Sequence, residues 1–334
     1  MAGVYIIAEA GVNHNGDINM ALELIDMAAK TGADAIKFQT FIPENVISQH
    51  AKKADYQLNY TDKQESQLDM VKKLYLSEPD FVKLKKRCIE KNIEFISSPF
   101  DMDSIDILTN IGVSKIKIPS GEITNLPYLR KIGKLNIPLI ISTGMADVEE
   151  IDECLSVLLS SGTHKNNLSL LHCNTEYPTP PKDANLKAIV TLKERFKLNT
   201  GYSDHTQGIH FPVAAVAMGA QIIEKHFTLD RTLEGPDHIA SIEVDDLADM
   251  VKSIREIEIG LGSGIKVPSA SETKNIPIAR KSIVAKVAIK EGELFTEKNL
   301  TTKRPGSGIS PMNWDDYIGK VSNCSYHQDD LIHD

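Results

Sequence analysis

A chain of 334 residues, 41% hydrophobic and 25% charged, has room for one large α/β domain and a small second one, with the make-up of an ordinary soluble globular protein. Its formal net charge of −9 argues against a nucleic-acid or anionic-membrane surface, while leaving room for a local basic pocket that takes an anion. Cys88, Cys154, Cys173 and Cys324 have neither paired spacing nor a C-x-x-C, which speaks against a disulfide framework or zinc cluster; without a signal peptide or a membrane-length apolar run, a reducing cytosol is expected.

Short β-branched runs alternate with helix-period segments eight times. Strands are predicted at Val4–Glu9, Ala35–Gln39, Glu94–Ser98, Lys115–Ile118, Leu139–Thr143, Leu168–Asn174, Thr200–Ser203 and Gln221–Lys225. The helical patterns that follow them are Met20–Thr31, Pro79–Lys91, Asp103–Asn110, Leu126–Leu135, Val148–Ser160, Leu186–Phe196, Ile209–Met218 and Val244–Leu261. Eight β–α units predict a closed parallel (β/α)8 barrel of the TIM type, with an open doubly wound sheet as the alternative. No G-x-G-x-x-G follows the first strand, which weighs against a dinucleotide fold.

The segment from Phe41 to Leu76 is too long for a simple β–α connection. It is polar, with Tyr56, Gln57, Tyr60, Glu65 and Gln67, and is expected above the second strand as a lid or binding loop, unless it is a plain surface excursion. Near Gly262 the alternation stops. The barrel is assigned to residues 1–262, a turn-rich linker (Gly262-Ser263-Gly264, Pro268-Ser269) to 263–276, and a small, irregular, mostly β module to 277–334. That module has too few apolar residues for a large core.

In a parallel barrel the carboxyl ends of the strands face one common mouth. Here those ends carry Glu9, Lys37 with Gln39, Ser97 with Ser98, Lys117 with Ser120 and Glu122, Ser142 with Thr143, Asn174 with Tyr177, Ser203 with Asp204 and His205, and Lys225 with His226. Burying so many polar groups without a task is costly, although Glu9–Lys37 and Lys117–Glu122 pairs could simply plug the barrel. Lys37 and Lys117, helped by Ser98, Ser120 and Ser142, suit a phosphate or carboxylate. Glu9 and Glu122 suit proton transfer or stabilisation of a developing cation, with Gly121 allowing the chain to turn between Ser120 and Glu122. His205 and His226, each just past a short strand, suit a divalent metal acting as a Lewis acid on a carbonyl; the structural alternative is two satisfied core histidines. Together these groups point to carbon–carbon bond formation between a phosphorylated enol and a carbonyl.

The motifs Glu9-Ala-Gly-Val-Asn-His-Asn-Gly16, Lys37-Phe-Gln39, Lys117-Ile-Pro-Ser-Gly-Glu122, His172-Cys-Asn-Thr-Glu-Tyr-Pro178, Ser203-Asp-His-Thr206, Glu224-Lys-His-Phe-Thr228 and Gly235-Pro-Asp237 resemble, in order, those of the bacterial sialic acid synthase family. The tail, with Ala279-Arg-Lys-Ser282 and Lys303-Arg-Pro-Gly306, is similar to that family's antifreeze-like (SAF-type) β-rich domain. The resemblance implies condensation of phosphoenolpyruvate with a 2-acetamido hexose to a 2-keto sugar acid and phosphate. It implies a divalent metal on His205 and His226, manganese first, with magnesium or cobalt as alternatives. Lys37, Ser98, Lys117, Ser120, Ser142, Asn174 and Ser203 would hold phosphoenolpyruvate, although the order Asn174-Thr175 departs from the Thr-Asn of some members. Glu122 would stabilise the oxocarbenium and Glu9 would transfer protons. Gln39, Tyr177 and Asp237 would contact the sugar, and Arg304 would reach the partner's sugar across a domain-swapped homodimer.

Ile118–Pro127 and Gly201–His210 resemble the legionaminic acid branch, which takes a 2,4-diacetamido-6-deoxy mannose-type sugar. Asn174–Pro180 and Gly308–Met312 fit synthases that take N-acetylmannosamine equally well, and pseudaminic acid synthesis is a third choice. A non-catalytic carbohydrate- or ice-binding protein is the reading from another class. The tail's charges, among them Lys286, Lys290, Glu291 and Glu293, disfavour an ice-binding face.

Overall fold

Eight parallel strands close on themselves in chain order. They are β1 (Tyr5–Gly11), β2 (Ala35–Thr40), β3 (Glu94–Pro99), β4 (Ile116–Ile118), β5 (Leu139–Ser142), β6 (Leu168–Cys173), β7 (Asn199–Asp204) and β8 (Ile222–His226). A helix follows each: α1 (Ile18–Thr31), α2 (Glu78–Lys91), α3 (Met102–Asn110), α4 (Leu126–Gly133), α5 (Val148–Ser161), α6 (Lys187–Phe196), α7 (His210–Ala217) and α8 (Val244–Gly260). This is the expected (β/α)8 barrel, with element ends one or two residues from those predicted. The computed structural model describes residues 3–53 and 64–333, so Tyr56, Gln57 and Tyr60 lie outside the described residues. Among the described residues no helix is long and apolar enough to cross a membrane.

Strand parity explains how an apolar barrel comes to hold charges. Successive side chains point to opposite faces. Ile6, Ala8, Ile36, Phe38, Ile116, Ile141 and Ile223 therefore face outward and pack against the helices in the main core. The opposite parity supplies Ile7, Ala35, Ile96, Ile140, Leu171 and Ile222, a separate apolar layer that fills the barrel interior. Two residues further along each of those strands come Glu9, Lys37, Ser98, Ser142, Cys173 and Glu224. The floor of the mouth is thus a polar layer resting on an apolar one. Side-chain caps fix the entries of helices on the same frame: Asp17 accepts from the Asn19 amide at α1, and Asp147 and Glu150 form a reciprocal box at α5.

The same parity corrects three expectations. Ser97, Asp204 and Lys225 were expected at the mouth, but each is one residue out of phase with it. Ser97 Oγ donates to the Phe38 carbonyl at 3.0 Å. Lys225 Nζ meets Asp204 Oδ2 at 2.6 Å, with both side chains fully buried. These groups tie neighbouring strands together on the outer face.

The chain divides into two compact units at Gly262/Ser263. In the second, β9 (Ser282–Ala285) pairs antiparallel with β10 (Leu300–Lys303), and isolated bridges join Ile289 to Tyr326 and Leu294 to Val321. Ile283, Ile289, Phe295, Leu300, Tyr317 and Tyr326 give it a small core of its own. The stretch expected as a linker carries two short helical turns, Ala270–Thr273 and Ile276–Ala279; a Ser269–Glu272 capping box starts the first.

Candidate active site

At the mouth, two lysines are set between two carboxylates. Lys37 Nζ lies 2.8 Å from Glu9 Oε2, 3.8 Å from Glu224 Oε2 and 3.2 Å from Ser98 Oγ. Lys117 Nζ donates to Glu224 Oε1 at 2.8 Å, and Ser203 Oγ donates to that oxygen at 2.9 Å. The Glu9 contact is an ion pair out of line for a hydrogen bond, and neither Glu9 oxygen has a hydrogen-bond partner. The two acids consequently diverge. Burial pushes Glu9 up to about 7, with Lys37 opposing and Glu224 adding to the rise. Burial would raise Glu224 too, but Lys117 and Lys37 hold it down at about 2. One carboxylate is kept ionised and the other poised near neutrality.

Above this layer sit the imidazoles. His205 and His226 have ring centroids 5.3 Å apart, and Tyr177 stacks on His205 at 3.9 Å while meeting His226 edge-on at 5.5 Å. His205 Nδ1 lies 2.5 Å from the Asn174 carbonyl oxygen, which fixes the donor there and leaves Nε2 as the ring nitrogen outside that bond. His226 Nδ1 is buried without a hydrogen-bond partner, 4.0 Å from Asp237 Oδ2. Burial, then His205 and Lys37, hold His226 well below the ordinary imidazole value. Burial lifts Asp237 to about 6 against the pull of His205 and Lys37. Gly11 makes the approach possible. It has φ +52°, β1 slips register there, and an added Cβ would stand 3.2 Å from both Glu9 Oε1 and His226 Cε1.

Whether these residues fit a divalent metal can be asked of the donors themselves. Two imidazole nitrogens with an acidic residue beside them suit such an ion once both rings are unprotonated; burial favours that for His205, while the Cys173 sulfur beside it raises its pKa overall. Among the described residues no group of three or more His, Cys, Asp or Glu side chains is gathered to enclose one. The set therefore fits an open site whose remaining positions belong to water and substrate.

Other expected residues stand differently. Glu122 turns to Asn125, whose Nδ2 donates to Glu122 Oε2 at 2.6 Å, and burial raises its pKa. Lys117 thus pairs with Glu224, not with Glu122. Gly121 has no left-handed φ and nothing within 4 Å of an added Cβ, so that turn does not require glycine. The Asn174 side chain is spent on its own loop, accepting from the Glu176 amide at 2.8 Å. Its neighbour Thr175 lies beside Ser120 instead: a Cβ on Gly144 would come 2.7 Å from Thr175 Cγ2 and 3.2 Å from Ser120 Oγ. Ser142 is buried in the interior layer. Arg304, in the second unit, is exposed and donates through Nε to the Ala279 carbonyl at 3.0 Å.

Glu224 is the residue that motif reasoning passed over. Its signal was present, because it precedes His226 by two on a strand and so shares its face. Sequence reasoning also missed a cavity of about 250 Å³ beside the imidazoles' neighbours, with Gln39, Tyr177 and Asp237 on one side. The other side is hydrocarbon. It comes from Val12, Phe41 and Phe100 and from Met70, Val71 and Leu74 near the helical turn Gln67–Lys72. The segment described above as polar therefore turns apolar side chains inward, Met70 and Val71 from the helical turn and Leu74 from the turn just past its C-cap.

A model of the NeuB family matches residues 24–266, and a SAF-domain model matches residues 280–334. The N,N'-diacetyllegionaminic acid synthase of Campylobacter jejuni is 55% identical over 99% of each chain. That of Legionella pneumophila is 45% identical over 94% of this chain and 89% of its own. Among solved structures, the N-acetylneuraminic acid synthetase of Leptospira borgpetersenii in complex with citrate matches with a TM-score of 0.73. It is 40% identical, over 82% of this chain and 90% of that one.

Proposed function

The chain belongs to the NeuB family, and from that premise we propose that it condenses phosphoenolpyruvate, a 2-acetamido hexose and water into a sialic-type 2-keto sugar acid and phosphate. It is an enzyme of the sialic and legionaminic acid synthase type. Its product is N,N'-diacetyllegionaminate, the acid named in two relatives, and its sugar is accordingly 2,4-diacetamido-2,4,6-trideoxymannose. The observation that carries the reading is the stacking of layers: a lysine–carboxylate floor with two imidazoles and Tyr177 directly above it.

Lys37 and Lys117, with Ser98, Ser142 and Ser203, hold the phosphate and carboxylate of phosphoenolpyruvate. Ser120 and Thr175 close that side, with Thr175 in the role first given to Asn174. Burial, by raising the Glu9 pKa, weakens that carboxylate's hold on Lys37 and so favours an incoming anion there. Gln39, Tyr177 and Asp237 orient the open-chain sugar. C3 of phosphoenolpyruvate attacks the aldehyde carbon and C2 becomes an oxocarbenium, which Glu122 and the ionised Glu224 stabilise. Water adds at C2, and the tetrahedral intermediate loses phosphate by carbon–oxygen cleavage, the bridging oxygen leaving with phosphorus. NeuB-family synthases are generally metal-dependent. Here His205 and His226 hold the ion, manganese by preference, which when bound supplies Lewis acidity to the aldehyde oxygen.

The working unit is a homodimer in the cytosol, where phosphoenolpyruvate is made, with the tail of one chain bringing Arg304 to the other chain's sugar. Co-expressed heterodimers of Glu122→Gln and Arg304→Ala chains regain activity if Arg304 acts in trans and stay inactive if it does not.

Phosphate release from phosphoenolpyruvate, with and without each of a panel of 2-acetamido sugars, tests the reading. Release should require a mannose-type sugar and be fastest with the 2,4-diacetamido compound. A faster reaction with the pseudaminic acid precursor would reassign the product. No release with any sugar would favour a non-catalytic carbohydrate-binding protein.

A further inference from the structure

Val12, Phe41 and Leu74 are buried and form, with Val46, Val71 and Phe100, an apolar cluster distinct from the main core and from the layer inside the barrel. Such clusters normally close on themselves at interior packing density. This one borders the cavity of about 250 Å³, whose other side is Gln39, Tyr177 and Asp237. The polar side is the one near the chemistry, since Tyr177 touches both imidazoles and Asp237 Oδ2 is 4.0 Å from His226 Nδ1. A six-carbon chain with its aldehyde at the imidazoles has room to run its far end past Tyr177 and Asp237 along the hydrocarbon side.

We propose that this wall, centred on Val12, Phe41, Phe100 and Leu74, is the specificity surface for the far end of the sugar, taking a methyl group at C6 and disfavouring a hydroxyl there. The inference rests on the reading above that the substrate is a 2-acetamido sugar. A C6 hydroxyl leaves water to face hydrocarbon side chains that offer neither donor nor acceptor, so its hydrogen bonds are lost. A methyl in the same place removes apolar surface from water at no such cost. An apolar pocket discriminates against an added hydroxyl by about 100-fold at most, so the expected selectivity is real but bounded. The competing account is that the cluster only fastens the Gln67–Lys72 turn onto the barrel. It then affects stability and treats both sugars alike.

Two sugars that differ only at C6 separate these accounts: 2,4-diacetamido-2,4,6-trideoxymannose and 2,4-diacetamido-2,4-dideoxymannose. The wild-type enzyme should favour the deoxy sugar in kcat/KM by about 10- to 100-fold. Val12→Thr, nearly isosteric, and Leu74→Gln each put a polar group in the wall and should shrink that ratio by about tenfold. Val82→Thr, a change at an exposed apolar residue of α2, should leave it alone. A wild-type ratio near one overturns the proposal, as does an unchanged ratio in both wall variants with a lowered Tm. If neither sugar turns over, the synthase reading fails on its own account. Calorimetric binding of the same two sugars then decides the wall, equal affinities counting against it.

Discussion

Glu224 Oε1 takes hydrogen bonds from Lys117 at 2.8 Å and from Ser203 at 2.9 Å, so three strands of the barrel converge on one carboxylate oxygen. Lys37 approaches the other oxygen at 3.8 Å. A group so placed sets the charge of the mouth proposed to take phosphoenolpyruvate. Glu224→Gln keeps the shape and removes the charge, and should lower kcat/KM by about 100-fold or more, in the range of lost electrostatic stabilisation. Steady-state kinetics beside a thermal melt checks it. A variant with lowered Tm and wild-type kinetics would make Glu224 a structural plug.

The imidazole pair predicts a metal requirement. Protein stripped with EDTA should lose turnover and regain it with manganese. The His205→Ala, His226→Ala double variant should retain no stoichiometric metal by elemental analysis while keeping its circular dichroism. Full activity in that variant would count decisively against the assignment.

Lys225 and Asp204 make the opposite prediction. Their pair is fully buried on the helix-facing side, outside the mouth. Lys225→Met strands a buried carboxylate and should cost about 3–5 kcal/mol of stability. The folded fraction should keep kcat/KM within a few-fold. A selective loss of kcat in a variant of undiminished Tm would put Lys225 back among the catalytic groups.

His14 gives a pH dependence. It is buried, its Nδ1 accepts the Gly16 amide at 3.0 Å, and burial, then repulsion from His238, hold it down at about 4. A base with a depressed folded-state pKa contributes stability that is complete above its unfolded value near 6.5 and is lost as pH falls through 4, because the unfolded chain takes the proton first. The loss across that window is about 3 kcal/mol. His14→Asn should flatten the fall in Tm between pH 7 and pH 4. An unchanged slope would show that other groups carry it.

The fold was legible because each barrel strand is a short β-branched run followed by its own helical period, and eight repeats leave little else to build. The histidines and Lys37 were legible because a charge at the end of such a run has few bland explanations. Parity was the weak point. Ser97, Asp204 and Lys225 sit one residue from side chains that face the mouth, and a list of strand-end residues does not separate faces unless phase is tracked from Ile7, Ile96 and Ile222. Glu224 was hidden the same way, standing inside a quoted motif without being given a task. The apolar wall could not be read at all. Val12, Phe41, Leu74 and Phe100 come from three separate connections, and only the closed barrel brings them together.

The proposed reaction joins C3 of phosphoenolpyruvate to an acetamido sugar with carbon–oxygen cleavage. Phosphoenolpyruvate carrying heavy oxygen at the bridging position, incubated with 2,4-diacetamido-2,4,6-trideoxymannose, tests both halves by mass spectrometry. The prediction is a nine-carbon keto acid without label and inorganic phosphate that carries it. Label retained in the keto acid, or phosphate formed without any nine-carbon acid, would contradict the claim.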